Sequence, residues 1–435
     1  MPVLHALELA LFMFWEVLWP LALGFLLSAI VQTVVSRDAV VRSLGRDDVR
    51  GAALATLFGA ASSSCSYAAV SVGRALFRRG ATLANAIIFE FASTNLVIEL
   101  GLVLLVLLGW PFLGAEVAGG VLMVAILFLV FRATLRPAMV EAARAQAERG
   151  LVGKMEGHGE MDMSITDGPF LRRLFSGRAF TAVSHYFFMD LASLYQDLAI
   201  GFLVAGALAA WVPDGFWRAL FLSDHPAVAQ VWGPLIGPVI AMLSFVCSVG
   251  NVPLAAVLWN GGISFGGVIA FVFGDLLILP VLDIYRKYYG GRTALYLAAV
   301  SYLAMALAGL AVGLAFQALG WAPAHHRVAV LAARPEWSYT TFLDLAFLAL
   351  AAVLGWRFLR TGGPAMLRAM EASPERRAAM ATDPVCGMTV DPATAGERHD
   401  HDGRTYHFCS AGCREAFAAD PPGFLGGEVA PAHHH

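Results

Sequence analysis

The sequence predicts an all-α integral membrane protein with a small, separate C-terminal domain, and three observations carry this prediction. Hydrophobic residues make up 58% of the 435 residues and charged residues only 14%, and the mean hydropathy of +0.68 exceeds that of soluble domains. Seven apolar runs are long enough to cross a bilayer, which takes about 20 helical residues. Three of the five cysteines crowd into the last fifty residues.

Composition also excludes several classes of function. The net charge is only −3, and no basic tract is long enough to follow a phosphate backbone, which argues against a nucleic-acid partner. Five cysteines are an odd and sparse set for a disulfide framework, so metal or redox chemistry fits them better. The N-terminus lacks the basic region and the cleavage site of a signal peptide, and we interpret it as the first membrane span.

Two further apolar stretches are interrupted by small polar residues. The seven full spans are predicted at 8–35, 81–108, 112–133, 180–212, 263–284, 292–320 and 338–359. The stretches at 51–77 and 228–258 break at Ser62–Ser66 and at Cys247–Pro253. Each arm has about 13 residues, or about 20 Å of helix, which is short of a hydrocarbon core of about 30 Å.

Loop charges favour re-entrant hairpins over full crossings, because cytoplasmic loops collect Arg and Lys. If both interrupted stretches enter and leave on one side, the basic residues near 37–50 and 74–79 share a side with the Arg-rich 132–178 loop. The same arrangement places the N-terminus outside and the C-terminal domain in the cytoplasm. We therefore predict a multi-pass membrane protein in this orientation.

An internal repeat supports this topology. A shift of 182 residues aligns Cys65, Ser66, Val70, Gly80 and Phe89 with Cys247, Ser248, Val252, Gly262 and Phe271 without a gap. Each copy then consists of helix, re-entrant or broken hairpin, helix and helix. Three full crossings are an odd number, so the second copy must be inserted upside down, as in the inverted repeats of secondary transporters.

The predicted organisation has six parts. They are repeat 1 (1–135), a cytoplasmic connecting loop (136–178), repeat 2 (179–320), a final transmembrane helix (337–360), a linker (361–380) and the C-terminal domain (381–425).

The two breaks mark a candidate substrate site. An unsatisfied backbone amide in hydrocarbon is costly, so a break is tolerated where it faces protein or a wet cavity. The half-helix that follows each break favours an anion or a thiolate at its N-terminus. Cys65 and Cys247 are therefore candidate soft ligands, and the polar residues expected to support them are Ser64, Ser66, Ser248 and Asn251. A membrane cysteine that merely packs as a small hydrophobe is the open alternative.

Ionisable residues deep in the apolar segments are candidates for coupling. These residues are Glu16, Glu90, Glu99, Asp190, Asp197 and Asp275, and each costs about 2.5–3.5 kcal/mol at the bilayer centre. Glu90 and Asp275 follow the two hairpins and would carry protons in exchange for substrate, or else hold hairpin backbone in place. His185 and Met189, one turn apart, are ligand candidates for which core packing is the alternative.

The C-terminal domain contains a compact set of metal ligands. Asp383-Pro-Val-Cys-Gly-Met precedes the run Tyr406-His-Phe-Cys-Ser-Ala-Gly-Cys. About 45 residues bury too little apolar surface for comfortable stability, so a metal tie would contribute folding energy. Cys386, Cys409 and Cys413, with His407, suit a thiophilic ion such as Cu(I) or Zn(II). Structural or vestigial cysteines are the alternative, and no fingerprint of an organic cofactor is present.

These motifs resemble two known families. The 381–425 segment resembles the YHS domain, a small treble-clef-like metal-binding module, and the membrane part resembles the bacterial predicted-permease family that includes the organoarsenical efflux permeases. The second resemblance lies in the runs that begin CSYAAVSVGRALFRRG and CSVGNVPLAAVLWNGG. It implies efflux of a thiol-reactive metal or metalloid species held by Cys65 and Cys247.

The sequence therefore predicts a transporter and not an enzyme. Its expected partners are the lipid bilayer and a small inorganic or organometallic substrate, and the sequence leaves a homo-oligomer open. A membrane-anchored metal sensor or chaperone and a membrane thiol oxidoreductase are the rival interpretations. The second rival lacks a Cys-x-x-Cys pair in this sequence.

Overall fold

The computed structural model describes residues 2–34, 44–62, 66–148, 163, 165, 173, 175–244, 248–323, 337, 339–370, 380–385, 389–393 and 395–425. Helices build the whole of the described membrane part. Strands occur, among these residues, after position 380. This distribution confirms the predicted all-α membrane architecture with a small C-terminal domain.

The helices fall into two successive halves and a C-terminal section. The first half holds α1 (Pro2–Val34), α2 (Val49–Ser62), α3 (Ser66–Arg78), α4 (Leu83–Asn95), α5 (Ile98–Leu107) and α6 (Trp110–Thr134), and α7 (Pro137–Ala147) follows it. The second half holds α8 (Gly177–Trp211), α9 (Asp214–Phe221), α10 (Pro226–Ser244), α11 (Ser248–Asn260), α12 (Phe265–Val272), a 3-10 helix (Phe273–Leu277), α13 (Leu279–Tyr289) and α14 (Gly291–Ala318). Then come α15 (Tyr339–Arg360) and α16 (Gly363–Met370).

Six described helical stretches, one of which consists of α4 and α5 together, are long and apolar enough to cross a membrane, or up to eight if each of two bent pairs is one span. Five of the six correspond to the predicted runs at 8–35, 81–108, 112–133, 292–320 and 338–359. The runs at 180–212 and 263–284 overlap the two bent pairs, which turn by 109° and 45°. The sixth is α10, which has 19 residues and is longer than the 13-residue hairpin arm expected from the sequence.

The first interrupted stretch forms a hairpin whose two ends meet. The amide of Thr82, after α3, donates to the carbonyl oxygen of Leu44, before α2, at 3.2 Å. Both arms pack on α4, α2 at Gly59 and α3 at Gly73. We call residues 44–82 the first hairpin, and because its ends are hydrogen-bonded, the chain enters and leaves it at the same end.

The second interrupted stretch closes in the same way. The hydroxyl of Ser223, before α10, donates to the carbonyl oxygen of Gly262, after α11, at 3.3 Å. We call residues 223–262 the second hairpin. Pro234 and Pro238 lie inside its first arm, where each proline removes one helical hydrogen bond.

The two hairpins share local details at the 182-residue shift. Helices α3 and α11 both have 13 residues. Gly80 and Gly262 follow them with φ of 115° and 96°, in the region that glycine adopts without a steric penalty. Side chains of Thr82 and Ser264 then cap α4 and α12.

The bases of the two hairpins lie at opposite ends of the segment that runs from α12 to α13. Helix α12 starts directly after the base of the second hairpin, and α13 ends at Tyr289, whose ring lies 5.9 Å from that of Phe77 near the base of the first. Phe112, at the start of α6, packs on Trp259 and Phe265 at the base of the second hairpin. That the halves are related by inversion stays a prediction, which this placement supports.

The described residues of the C-terminal domain form two small sheets and two helices. Strands β1 (Ala381–Thr382) and β2 (Thr389–Val390) form one antiparallel pair, and β3 (Glu397–His401) and β4 (Arg404–Phe408) form the other. Helices α17 (Ala411–Ala419) and α18 (Pro421–Leu425) follow. A core of Val385, Phe408 and Phe417 holds the domain together.

The predicted linker at 361–380 is helical in part, since α16 occupies Gly363–Met370. Pro364 stands at a position that suits the first turn of a helix. Met366 and Leu367 pack on the membrane core. The polar residues that follow Met370 obscure this short apolar run in the sequence, so no helix was predicted there.

Glycines allow close contact between α12 and α14. A Cβ at Gly309 would lie 2.6 Å from the carbonyl oxygen of Gly266 and 2.7 Å from the Cβ of Ala270. Close approach through small residues is a common device of membrane helix pairs, because van der Waals packing drives their association.

Gly309→Ala is expected to separate α12 from α14 and to lower the free energy of unfolding by about 1–3 kcal/mol, the usual cost of overpacking. Thermal unfolding of the detergent-solubilised protein measures it. Gly291→Ala is the matched control, because a Cβ there meets nothing within 4 Å. Equal melting temperatures for the two variants would contradict the close contact.

Candidate functional site

A buried carboxylate joins the tip of the first hairpin to the second half. Ser66 begins α3, directly after the break, and its hydroxyl donates to Asp275 Oδ2 at 2.7 Å. Asn95, at the end of α4, donates through Nδ2 to Asp275 Oδ1 at 3.2 Å. All three side chains are fully buried. Asp275 therefore holds the hairpin tip and the end of α4 together.

Glu90, which lies on α4 like Asn95, forms a second site with a buried carboxylate. Tyr285 donates to Glu90 Oε2 at 2.7 Å, and Tyr289 donates to Oε1 at 3.3 Å. A Cβ at Gly73 would overlap this carboxylate, so the glycine leaves the room that Glu90 occupies. Glu90 lies five residues before Asn95, or about 7 Å of helix rise from the Asp275 site.

A third carboxylate lies at the other side of the first break. Asp190 Oδ2 accepts from Gln32 Nε2 at 3.2 Å and lies 3.4 Å from Ser28 Oγ. Ser28 also donates to the carbonyl oxygen of Ser62, the last described residue before the break, at 3.2 Å. Glu99 is close enough to Asp190 to interact with it electrostatically. Acids from both halves thus surround the first hairpin tip.

The predicted soft ligands themselves, Cys65 and Cys247, lie outside the described residues, as does Ser64. Their neighbours Ser66 and Ser248 are buried at the starts of α3 and α11.

Asn251 lies in the first turn of α11, beside the second break, and is fully buried. Its Oδ1 accepts from Ser244 Oγ at 3.2 Å, across the break. Its Nδ2 has no hydrogen-bond partner among the described residues. A buried donor without a partner is rare, because it keeps the full cost of its desolvation.

The C-terminal domain brings three ligand atoms together. Asp383, Cys409 and Cys413 each place one such atom within 4.8 Å of the others. The two sulfurs are 3.6 Å apart, which is longer than a disulfide bond. Ser410 caps α17 through the Cys413 amide, so both thiols lie at a helix N-terminus, which favours thiolates.

Asp383 has a structural task as well. Its Oδ1 accepts from the Val385 amide and its Oδ2 from the Cys409 amide, both at 2.9 Å. Burial raises the pKa of this carboxyl, and the Cys409 amide opposes the rise. Because both oxygens already accept amides, the sulfurs are the stronger candidates for ligands. Two adjacent thiols fit a thiophilic ion.

The sequence predicted two further metal ligands, Cys386 and His407. Cys386 lies outside the described residues. His407, on β4, is described, but it is absent from the three-residue cluster, and its Nδ1 is buried without a hydrogen-bond partner in the described chain. Its role as a ligand stays a prediction.

Sequence reasoning missed several partners of the acids. Tyr285 and Tyr289 are four residues apart and share a helix face, and this spacing was the available signal. Gln32 and Ser28 have the same spacing on α1. Which of the membrane acids each would meet depends on packing between halves, which no local pattern reports.

Comparison with known proteins gives two family matches. The model of a family described as predicted permease matches residues 3–314. The model of the YHS domain matches residues 381–428. No solved structure matches.

Three individual relatives are informative. Rv2963 of Mycobacterium tuberculosis, which carries the name of a permease, is 54% identical over 343 residues, or 79% of this chain and 84% of that protein. The UPF0718 protein YraQ of Escherichia coli is 24% identical over 314 residues, or 71% of this chain and 80% of that protein. A copper-transporting P-type ATPase of Rhizobium leguminosarum is 53% identical over 47 residues, which are 11% of this chain and 6% of the ATPase.

A double-mutant cycle on Ser66→Ala and Asp275→Asn tests the buried junction. Each change should lower the free energy of unfolding by about 1.5–3 kcal/mol, as for hydrogen bonds to charged groups. The double variant should lose less than the sum, with a coupling energy of about 0.5–3 kcal/mol. Thermal unfolding in detergent measures all three, and additive losses would show that the two side chains do not interact.

Cys409→Ser and Cys413→Ser should each abolish binding of Cu(I) or Zn(II) by the C-terminal domain, because two-sulfur chelation is lost. Thr405→Ala, on the exposed part of β4, is the control. Metal content per chain, measured on the full-length protein after competition with a chelator, reports the result. Equal metal content in the control and both cysteine variants would exclude this centre.

Proposed function

The chain belongs to the predicted permease family, and from this premise we propose that it is a secondary transporter that exports a thiophilic metal or metalloid species. Family membership makes it a multi-pass membrane transporter and not an enzyme. The observation that carries the finer proposal is the buried junction of Ser66, Asn95 and Asp275, which joins the tip of one hairpin to the other half.

The substrate would be held between the two hairpin tips. We assign the soft ligands to Cys65 and Cys247, which directly precede the half-helices α3 and α11. Support comes from their neighbours, since Ser66 and Ser248 are buried there and Asn251 Nδ2 lacks a partner among the described atoms. An oxygen atom of a substrate, or its water, would satisfy that donor.

Asp275 is suited to couple protons to the position of the hairpin tip. A charged carboxylate binds the Ser66 hydroxyl and the Asn95 amide strongly, since charge-assisted hydrogen bonds are about twice as strong as neutral ones. Protonation of Asp275 would weaken both bonds and release the tip. Ser66, the residue next to Cys65, thus forms a hydrogen bond whose strength depends on whether Asp275 is protonated.

Glu90 offers a second proton site on the way to the tip. The two phenols that donate to its carboxylate belong to α13, in the other half. If Glu90 takes a proton, its carboxyl gains an O–H donor, and one phenol can then accept from it instead of donating to it. Both proposed proton sites therefore lie between halves, where a change of contact would accompany alternating access.

The orientation and the captured ion are also proposals. We place the protein in the bacterial inner membrane with the N-terminus outside, the halves inverted and the C-terminal domain in the cytoplasm. That domain would capture the ion and raise its local concentration near the entrance. Cu(I) is the first ion to test, because the relative that shares this domain is named as a copper transporter.

A sensor or chaperone anchored in the membrane would not require acids at the hairpin tips. Those acids cost about 2.5–3.5 kcal/mol each on insertion scales. A thiol oxidoreductase is disfavoured by membership in a family of permeases. The transporter accounts for both the acids and the family.

Transport is tested in proteoliposomes loaded in turn with Cu(I), Zn(II) and arsenite. The wild type should move at least one of them, and Cys65→Ser and Cys247→Ser should each reduce the flux by about tenfold or more through loss of a ligand. No flux of any thiophilic species, or wild-type flux in both variants, would contradict the proposal.

Coupling is tested by imposing a pH gradient on the same vesicles. Asp275→Asn and Glu90→Gln should remove the response of ion flux to the gradient, because a side-chain amide neither takes up nor releases a proton at these pH values. Asp283→Asn is the matched control, because Asp283 is exposed and paired with Arg286 and Lys287. If the control and the buried variants respond alike, these acids do not couple protons.

A further inference from the structure

The C-terminal metal centre contacts the turn between α15 and α16. Gly362 in that turn has φ of 83°, and a Cβ there would lie 2.7 Å from the carbonyl oxygen of Cys409 and 3.3 Å from its Cβ. Strand β2 also packs on α16. One of the two thiols therefore belongs to a residue that sits directly on the membrane part.

A buried histidine and a thioether lie beside the same turn. His185, on α8, places Nε2 2.7 Å from Thr361 Oγ1 and Nδ1 3.3 Å from Met366 Sδ. His185 and Met366 are 0% and 1% exposed. His185 is also close enough to Cys413 for an electrostatic interaction. An imidazole nitrogen and a thioether sulfur thus lie beside the turn that contacts Cys409.

The hydrogen bonds of Thr361 allow a tautomer of His185 that leaves Nδ1 without a hydrogen. The carbonyl oxygen of Arg357 accepts from the Thr361 amide at 3.0 Å and lies 2.8 Å from the Thr361 hydroxyl. When that hydroxyl donates its single hydrogen to the carbonyl, Thr361 accepts from His185 Nε2–H. In the neutral imidazole, Nδ1 then carries a lone pair that faces Met366 Sδ. In this tautomer two electron-pair donors face each other, and the contact contributes little to folding by itself.

The separation suits one ion between the two atoms. Metal–nitrogen and metal–sulfur bonds of about 2.05 and 2.3 Å at a tetrahedral angle put the two ligand atoms about 3.5 Å apart. The observed distance is 3.3 Å. Met366 is unbranched and adapts its position easily, so a small shift is enough.

The histidine also lies on a route toward the first hairpin tip. Met189, one turn further along α8, is fully buried. Asp190 follows it and shares Ser28 with the carbonyl oxygen of Ser62 at the break before Cys65. Soft and acidic side chains therefore continue from the C-terminal domain to the proposed substrate site.

We propose that His185 Nδ1 and Met366 Sδ form an acceptor site that receives Cu(I) from Cys409 and Cys413 and passes it toward the first hairpin, an inference that rests on the proposed transport function. The step is a ligand exchange. Bonds from copper to the two thiolates break while bonds to Nδ1 and Sδ form. Copper keeps its oxidation state, and the thiolates take up protons from water.

The site is tested with Cu(I) in a full-length chain that lacks thiols. All five cysteines are replaced by serine, namely Cys65, Cys247, Cys386, Cys409 and Cys413. One Cu(I) should remain bound, with one nitrogen and one thioether sulfur detected by X-ray absorption. Adding Met366→Leu, a volume-conserving change, should weaken binding about tenfold or more. Adding Met305→Leu, at another fully buried methionine, should change nothing.

A second measurement covers the case in which the thiol-free chain does not fold. With all cysteines present, Met366→Leu should bind one Cu(I) fewer per chain than wild type, and Met305→Leu should bind the wild-type number. Equal binding by the two leucine variants overturns the acceptor site, even if vesicles transport copper. If the protein binds copper as described but moves no ion, the acceptor site stands and the transport function is overturned instead.

Discussion

The structure depends on one constraint, which is that a helix broken inside a membrane must have its polar groups satisfied by protein. Asp275 meets this constraint at the first hairpin by accepting from Ser66 and Asn95, all fully buried. One side chain of the second half therefore fixes a tip built by the first half. Removal of the charge from Asp275 acts on the hairpin, on α4 and on the contact between halves at once.

Other contacts between the halves follow the same logic. Glu90 of the first half is bound by Tyr285 and Tyr289 of the second, and Asp190 of the second half is bound by Gln32 of the first. Each acid thus accepts hydrogen bonds from uncharged donors that belong to the other half of the chain. Neutral donors hold a carboxylate without committing it to a permanent charge pair, which suits the proton exchange that we propose for Glu90.

The sequence was sufficient for the features that depend on local composition. Hydropathy located five of the six described spans, and the small polar run at 62–66 coincides with the end of α2 and the start of α3. The second break was predicted too far along the chain, because α10 ends at Ser244 and α11 already begins at Ser248, so Ser248 to Pro253 are helical. The sequence was insufficient for partners that meet through packing. The Tyr285 and Tyr289 contacts, the bridging task of Asp383 and the helix inside the predicted linker all depend on residues far apart in the chain. The predicted cysteine ligands of the membrane site stay predictions.

The central claim is that the hairpin tips enclose a site that opens to each side of the membrane in turn. The most direct measurement is labelling of Cys247, as the sole cysteine, with a membrane-impermeant maleimide applied separately to right-side-out and inside-out vesicles. We expect labelling from both sides of the membrane. A thiophilic ion or a change of pH should increase labelling from one side while it decreases labelling from the other. Labelling from one side alone under all conditions, or none at all, would contradict it.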